Sequence, residues 1–496
     1  MADESLDIVI VGAGLSGINA AHRLQSTLPD RRFAILEGRD RIGGTWDFWK
    51  YPGARTDSAM VLFGYPWYPW RARSNMASAH AIRDYLEEAA AAEGIDKKIR
   101  FRHRIVEARW SSAEQKWTLQ VDVTAADGTV RRAVLKTWWL LGAGGYYSYD
   151  KPQEVVIPGI ERFGGEVVHP QFWDEKTVYA GKEIVVIGSG ATAVTLLPAL
   201  AKTAKHVTML QRSPSYVFSV PGKVASPFWE KFLPQSWSES LNWWAKMFLD
   251  SFFVWFLYAF PNFGRKIVRG AMRKELPKDF DFDKHFSPRY NPFEQRLCFC
   301  PDGDFFKALH RPNVEIVTDT IETVTEAGIS LHSGQNIQAD MIITATGLYL
   351  VLLSGMAMFV DGVQINDSLG QRYAWHGTML EGVPNSGIIT GYTAGTWTPG
   401  ADLRVRQLIK VIKQMEEKGA TSAMPYLDDA ERAKFPKAPL MALSSTYVVN
   451  AADRLPMNAD TGPWRAGKTW LTDGWHLLFG SVTAGMRYTI GRSKDD

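Results

Sequence analysis

The chain has 496 residues, 46% of them hydrophobic and 22% charged, which is ordinary for a globular protein and enough for two or three domains with full cores. The net charge is only +3 and no basic cluster interleaved with aromatics occurs, which argues against nucleic acid as a partner. Two cysteines, Cys298 and Cys300, exclude a disulfide framework or a four-ligand zinc site, and no metal is expected.

Met1 to Ser5 is acidic and leads directly to an apolar run, so no secretory signal is read and a cytoplasmic location is expected. That run, Ile8-Val9-Ile10-Val11, opens Gly12-x-Gly14-x-x-Gly17 and a helical pattern from Leu15 to Leu24. The first glycine permits a tight strand-to-helix turn, the second lets backbone N–H groups approach a pyrophosphate, and the third lets helix and strand pack closely. Glu37 closes the next apolar strand, Phe33 to Leu36, about twenty residues on, where a carboxylate accepts ribose hydroxyls. Strand, helix and acid together favour a bound nucleotide over a turn with no ligand. The stretch from Gly43-Gly44-Thr45-Trp46 to Asp57 is too polar for a core strand and too punctuated for a helix, and reads as a cofactor-lining loop. The rings of Phe63 to Trp70, held extended by prolines, are either core or pocket lining. Residues 79–92 predict a helix, and 116–123 and 129–141 the strands of a small meander.

Phe163-x-Gly165-x-x-x-His169-x-x-x-Trp173-Asp174 precedes a second fingerprint, Gly188-x-Gly190-x-x-Ala193, which follows the apolar run Ile184 to Ile187. Two fingerprints suggest that electrons pass from one dinucleotide to another. Where the first unit ends its next strand in an acid, the second has Gln211-Arg212-Ser213. A carboxylate there would repel a 2′-phosphate, whereas a guanidinium grips one in a bidentate fork with the Ser213 hydroxyl beside it. This half is expected to take NADPH, a solvated surface arginine being the plainer alternative. Met247 to Phe260 is strongly apolar, yet it is too short to span a bilayer and contains Asp250. It predicts either a buried helix or an interfacial helix in peripheral contact with a membrane. Cys298 and Cys300 alternate in a strand-like run, which predicts core packing. Asp340 to Gly347 reads as an apolar strand ending in a small turn, where the chain returns to the first nucleotide half.

Residues 163–174 match FxGxxxHxxxW(P/D), and Gly43 to Asp57 matches (A/G)GxWxxxx(F/Y)P(G/M)xxxD. With both glycine fingerprints present, the chain resembles the Baeyer–Villiger monooxygenases, class B flavoprotein monooxygenases, over nearly its whole length. The wording Gly44-Thr45-Trp46-Asp47, Gly188 to Val194 and Tyr290-Asn291-Pro292 is most similar to the subgroup containing the mycobacterial thioamide-prodrug-activating monooxygenase, which accepts ketones and sulfides. The resemblance implies FAD at Gly12, Gly14, Gly17, Glu37, Gly44, Thr45, Trp46 and Asp57, and NADPH at Gly188, Gly190, Ala193, Arg212 and Ser213. It further implies that Arg296 is catalytic, a permanent cation that steadies an anionic peroxyflavin and then a carbonyl oxyanion. Asp57 is implied to orient it through charge-assisted hydrogen bonds. His169 is implied to couple the domains from the linker, with plain hydrogen bonding inside the linker as the alternative.

Three departures limit what the resemblance carries over. Gln295 stands before Arg296 where relatives often carry lysine, so phosphate selectivity rests more on Arg212. The runs Leu348 to Leu353 and Gly391 to Gly400 replace asparagine- and lysine-containing stretches, and both are expected near the substrate channel. The expected fold class is α/β, with two Rossmann-like dinucleotide-binding domains and a helical subinsert at about 220–290. The FAD domain takes residues 1–150 and 345–496, the NADPH domain 151–344, and Ser493 to Asp496 are expected to fray. The expected reaction inserts one oxygen atom of O2 beside the carbonyl of a small-molecule ketone, giving an ester or lactone, with sulfide oxidation as a further activity. The alternatives are S- or N-oxygenation, an uncoupled NADPH oxidase, and a non-catalytic FAD-binding protein.

Overall fold

Ile8, Val9 and Ile10 are fully buried in the strand Glu4–Val11, the pattern of a parallel strand covered on both faces. It pairs in parallel with Phe33–Leu36 on one side and with Val130–Gly142 on the other. Val130–Gly142 runs antiparallel to Lys116–Thr124, which runs antiparallel to His103–Ser111, so the predicted meander extends the parallel sheet. Two late strands, Ala357–Val360 and Ser386–Ile388, return to this same sheet. The computed structural model describes residues 4–392, 395–436, 438–441, 443–459, 461–465, 467 and 469–490. The expected fraying of Ser493 to Asp496 lies outside the described residues, as do Thr393 and Ala394 of the run at 391–400.

Helix Leu15–Thr27 packs against Trp397–Lys418 from the far end of the chain. Asp402 holds the two together, accepting from Asn19 Nδ2 at 3.1 Å and from Arg23 Nε at 2.7 Å. The predicted helix Ala79–Ala92 is present, and the Ser78 side chain caps it by accepting from the Ala81 N–H. The aromatic run 63–70 is mostly core. Tyr65 is buried with its hydroxyl donating to Leu15 O at 2.8 Å, and Trp67 donates to Asn19 Oδ1 at 2.9 Å while stacking on His22.

A second sheet is wholly parallel, in the order Val314–Thr318, His206–Gln211, Glu183–Ile187, Met341–Thr344, Glu166–Val168. The chain is thus α/β, with two doubly wound units. Between strands Val217–Val220 and Cys298–Pro301, which pair in parallel, lies a helical excursion built on Gln235–Ala259 and Pro261–Glu275. Of the two readings of Met247 to Phe260, the buried helix is overturned. Only Met247 and Leu257 of this stretch are buried, because the helix packs by one narrow edge and leaves most of its rings in solvent.

Candidate active site

A cavity of about 760 Å³ is lined by residues of both units. Gly12 and Gly14 line it at the N-terminus of helix Leu15–Thr27. This helix has no side-chain cap and no acidic residue in its first turn, so its first N–H groups and the positive end of its dipole are left for an anion. Gly17 lies beneath, where an added Cβ would sit 1.9 Å from the Gly12 carbonyl oxygen, so only glycine fits. Glu37 is buried at the cavity edge, with Oε2 accepting from the Ala13 N–H at 2.7 Å and Oε1 from the Arg39 N–H at 2.9 Å. Burial pushes its carboxyl above the ordinary range, against the pull of those two amides. Each oxygen retains acceptor capacity for a ribose hydroxyl.

The second fingerprint repeats this construction. Gly190 begins helix Ala191–Leu200, again without a side-chain cap or a first-turn acid, and Ala193 is buried against the sheet. Gly188 has φ +135° and an added Cβ there would meet Ala345 O at 2.4 Å. Ala191, Thr192 and Thr195 of this helix line the same cavity as the first unit, which brings two phosphate-binding helix ends to one space. Arg212 and Ser213 lie exposed just beyond the strand His206–Gln211 and outside the cavity wall. Arg212 Nη2 donates to Thr446 Oγ1 at 3.3 Å, a contact too weak to retain it against a phosphate.

The loop from Gly43 to Asp57 forms one wall. Thr45 accepts from the Tyr147 hydroxyl at 3.0 Å, and Gly44 and Trp46 also face the cavity. At Gly53, φ is +81° and a Cβ would lie 2.4 Å from Thr195 O, so the loop presses directly on the second unit. Arg55 then reaches across to Asp304.

Arg296 and Asp57 both line the cavity, but no direct ion pair joins them. The expected charge-assisted hydrogen bond is therefore replaced by a through-space interaction, the loop being tied down by Arg55 instead. The Tyr146 phenol is the strongest influence on the guanidinium, Asp57 the next, and Tyr447 contributes further. Together they raise the Arg296 pKa against the opposing effect of burial, although an arginine is cationic at neutral pH without them. Tyr146 stacks on Trp397 with ring centroids 5.3 Å apart. Neither tyrosine was identified from the sequence; for Tyr146, the Gly144-Gly145 pair at the end of its strand was the available signal. Cys298 borders Arg296 and Cys300 follows; both thiols are free and buried, and burial pushes each up to about 12, so they act as packing.

Two of the three departures, the runs 348–353 and 391–400, reach this space. Leu348, Tyr349 and Val351 line it from one run, and Gly395 and Trp397 from the other. Just beyond, Leu353 and Ser354 hold left-handed φ values of 57° and 55°, a strained pair of non-glycine residues beside the cavity.

The linker stands off from the chemistry. Gly165 is required because a Cβ would meet Asp340 O at 2.4 Å and the Phe163 ring at 2.7 Å. His169 Nδ1 accepts from the Gln171 N–H at 3.2 Å, and Gln171 Nε2 donates to Ser148 O at 2.7 Å, which ties the linker to the first unit. Burial lowers the His169 imidazole to about 4, so it is neutral near pH 7.

Two uncapped, acid-free helix ends on glycine turns, converging on one cavity that holds a persistent guanidinium, fit FAD in the first unit and a nicotinamide dinucleotide in the second. The arrangement defines a flavoprotein oxidoreductase of two dinucleotide-binding units. The chain belongs to the flavin-binding monooxygenase-like family, whose model matches residues 6–350. It is 42% identical over 475 residues to the FAD-containing monooxygenase EthA of Mycolicibacterium smegmatis, covering 95% of this chain and 94% of that protein. Among solved structures, an oxidized steroid monooxygenase bound to NADP superposes with TM-score 0.76 at 21% identity, covering 98% of this chain and 100% of the other. An ε-caprolactone-bound cyclohexanone monooxygenase gives 0.75 at 20% identity, with coverage of 98% and 100%. The protein is an FAD-containing, NADPH-dependent monooxygenase.

Proposed function

We propose that this monooxygenase carries out Baeyer–Villiger oxidation: a ketone, O2, NADPH and a proton give an ester or lactone, NADP⁺ and water. The observation that carries the reading is Arg296, an arginine cation placed with Asp57 and Tyr146 at the wall of the shared cavity. Bound FAD, once reduced by NADPH, supplies the electrons that activate O2.

The chain's own residues supply the rest. The first-turn N–H groups after Gly12 and Gly14, with Gly17 allowing the close approach, hold the FAD pyrophosphate, and Glu37 accepts from the ribose. Gly44, Thr45 and Trp46 wall the FAD site. Gly188, Gly190 and Ala193 do the corresponding work for NADPH, with Arg212 and Ser213 on its 2′-phosphate. Arg296 stabilises negative charge on the substrate carbonyl oxygen as that carbon becomes tetrahedral. Asp57 supports the cation without neutralising it by direct pairing. Tyr146, Tyr392 and Trp397 line the space with rings that exclude water.

One structural neighbour holds a lactone, which favours the reading, while EthA is described only as an FAD-containing monooxygenase and favours no particular oxygenation. The test is product analysis with a cyclic ketone and a thioether under ¹⁸O2. Lactone carrying one labelled oxygen is expected. Sulfoxide without lactone would assign S-oxygenation instead, and NADPH consumption matched by hydrogen peroxide with every substrate would assign an uncoupled oxidase.

A further inference from the structure

Helix Gln235–Ala259 leaves Trp237, Trp244, Phe248, Phe252, Trp255 and Tyr258 exposed. With exposed Leu241 between the first two, these recur at steps of three and four residues, so they share one stripe of the helix. Helix Trp470–Phe479, from the other end of the chain, lies beside it: the Trp470 ring meets Trp243 and Trp244 edge-on at 5.5 and 5.1 Å. It exposes Trp475 at 64%, Leu478 at 65% and Phe479 at 68%. Two helices more than 200 residues apart in sequence thus build one continuous apolar face, well beyond scattered single hydrophobics.

The segment that carries the first of these helices is net positive. Residues 221–290 hold eleven Lys and Arg against seven Asp and Glu, a net +4 in a chain whose total is +3. On the next helix, Pro261–Glu275, Lys266, Arg273 and Lys274 are exposed on the same element as exposed Phe263 and Ile267. A face rich in Trp, Tyr and Phe with cations at its margin suits the boundary between lipid headgroups and acyl chains, where Trp and Tyr rings settle and Lys and Arg meet anionic headgroups. A two-fold contact with a second copy would instead bring two net-positive segments together. No helix among the described residues is long and apolar enough to cross a membrane, so any such contact is peripheral.

We propose that the face formed by Gln235–Ala259 and Trp470–Phe479 docks this enzyme on the surface of an anionic lipid bilayer. Helix Gln235–Ala259 also packs against Met60–Phe63, and Phe63 lines the cavity, so the docked face is one short helix away from the site of chemistry. A lipophilic substrate held in the bilayer would have a short path to it.

The test is flotation of the FAD-loaded enzyme with vesicles of equal phosphatidylcholine and phosphatidylglycerol, and with phosphatidylcholine alone. Expected are flotation with the mixed vesicles, a blue shift of tryptophan fluorescence and weaker binding in high salt. The triple variant Phe248→Glu, Trp255→Glu, Trp475→Glu should lose roughly a hundredfold in partitioning while its FAD content and NADPH oxidation stay at the wild-type level. Wild-type enzyme that stays unbound, or a triple variant that floats equally well, would overturn the proposal. So would a dimer in sedimentation that the triple variant abolishes while vesicles go unbound, which would give the face to a second copy.

Discussion

Arg55 and Asp304 meet in a two-pronged ion pair, Nη1 to Oδ2 at 2.5 Å and Nη2 to Oδ1 at 3.0 Å. It fastens the cavity loop of the first unit to the first residue of helix Asp304–Leu309 in the second, so a contact across the two units sets the wall that carries Asp57. Arg55 is 15% exposed and Asp304 31%, which keeps the pair partly shielded from solvent. Asp304→Ala should lower stability by about 1–2 kcal/mol and increase the NADPH oxidised per molecule of product. Thermal unfolding and product-to-NADPH ratios measure both, and wild-type values in each would show that the clamp is idle.

Arg296→Ala should reduce product formation by about 10²- to 10³-fold while FAD remains bound. Arg296→Lys should recover only part of the loss, because a point charge does not reproduce the planar fork. Steady-state product assays beside the flavin absorbance separate chemistry from cofactor loss. A normal kcat in Arg296→Ala would remove the cation from the mechanism.

Among the described residues, Arg212 makes one long contact, to Thr446, and it is exposed. Arg212→Gln should lower kcat/KM for NADPH by about 10- to 100-fold and leave NADH little changed. Equal effects on both coenzymes would point to general damage to the site rather than to a 2′-phosphate contact.

His169 titrates in the folded chain at about 4 against an ordinary 6.5, because burial disfavours the imidazolium. Its folded pKa is depressed, so the unfolded chain binds the extra proton first. The stability contribution is complete above pH 6.5 and is lost as pH falls toward 4. His376, likewise lowered to about 4 by burial, adds to the same window. His169→Gln should flatten part of the decline in melting temperature between pH 6.5 and 4. His169→Ala should slow coupled turnover with FAD retained, and unchanged coupling would reduce the residue to local linker packing.

Much of this organisation was legible because it is written in local backbone requirements. Gly12, Gly17 and Gly188 sit where only glycine fits, and such positions announce themselves in three or four consecutive residues. The acid-to-arginine change from Glu37 to Arg212 was equally local, one residue or two past a strand. What stayed hidden depends on distant packing. Tyr146 and Tyr447 converge on Arg296 from distant parts of the chain, and no spacing rule joins them. The rings of Tyr65 and Trp67 have the composition of a pocket, yet they are spent on the helix Leu15–Thr27. The apolar stretch 247–260 read as well for a core helix as for a surface one, since hydrophobicity does not say which neighbours are present to cover it.

The second parallel sheet receives the chain through Glu166–Val168 and releases it through Met341–Thr344, and these two strands are hydrogen-bonded neighbours, Val167 opposite Ile342. The whole nucleotide-carrying module between them therefore hangs from a paired seam rather than from two separated tethers. The chain thus enters and leaves that module side by side, and the same seam is the natural place to splice in the corresponding module of a relative to exchange coenzyme preference.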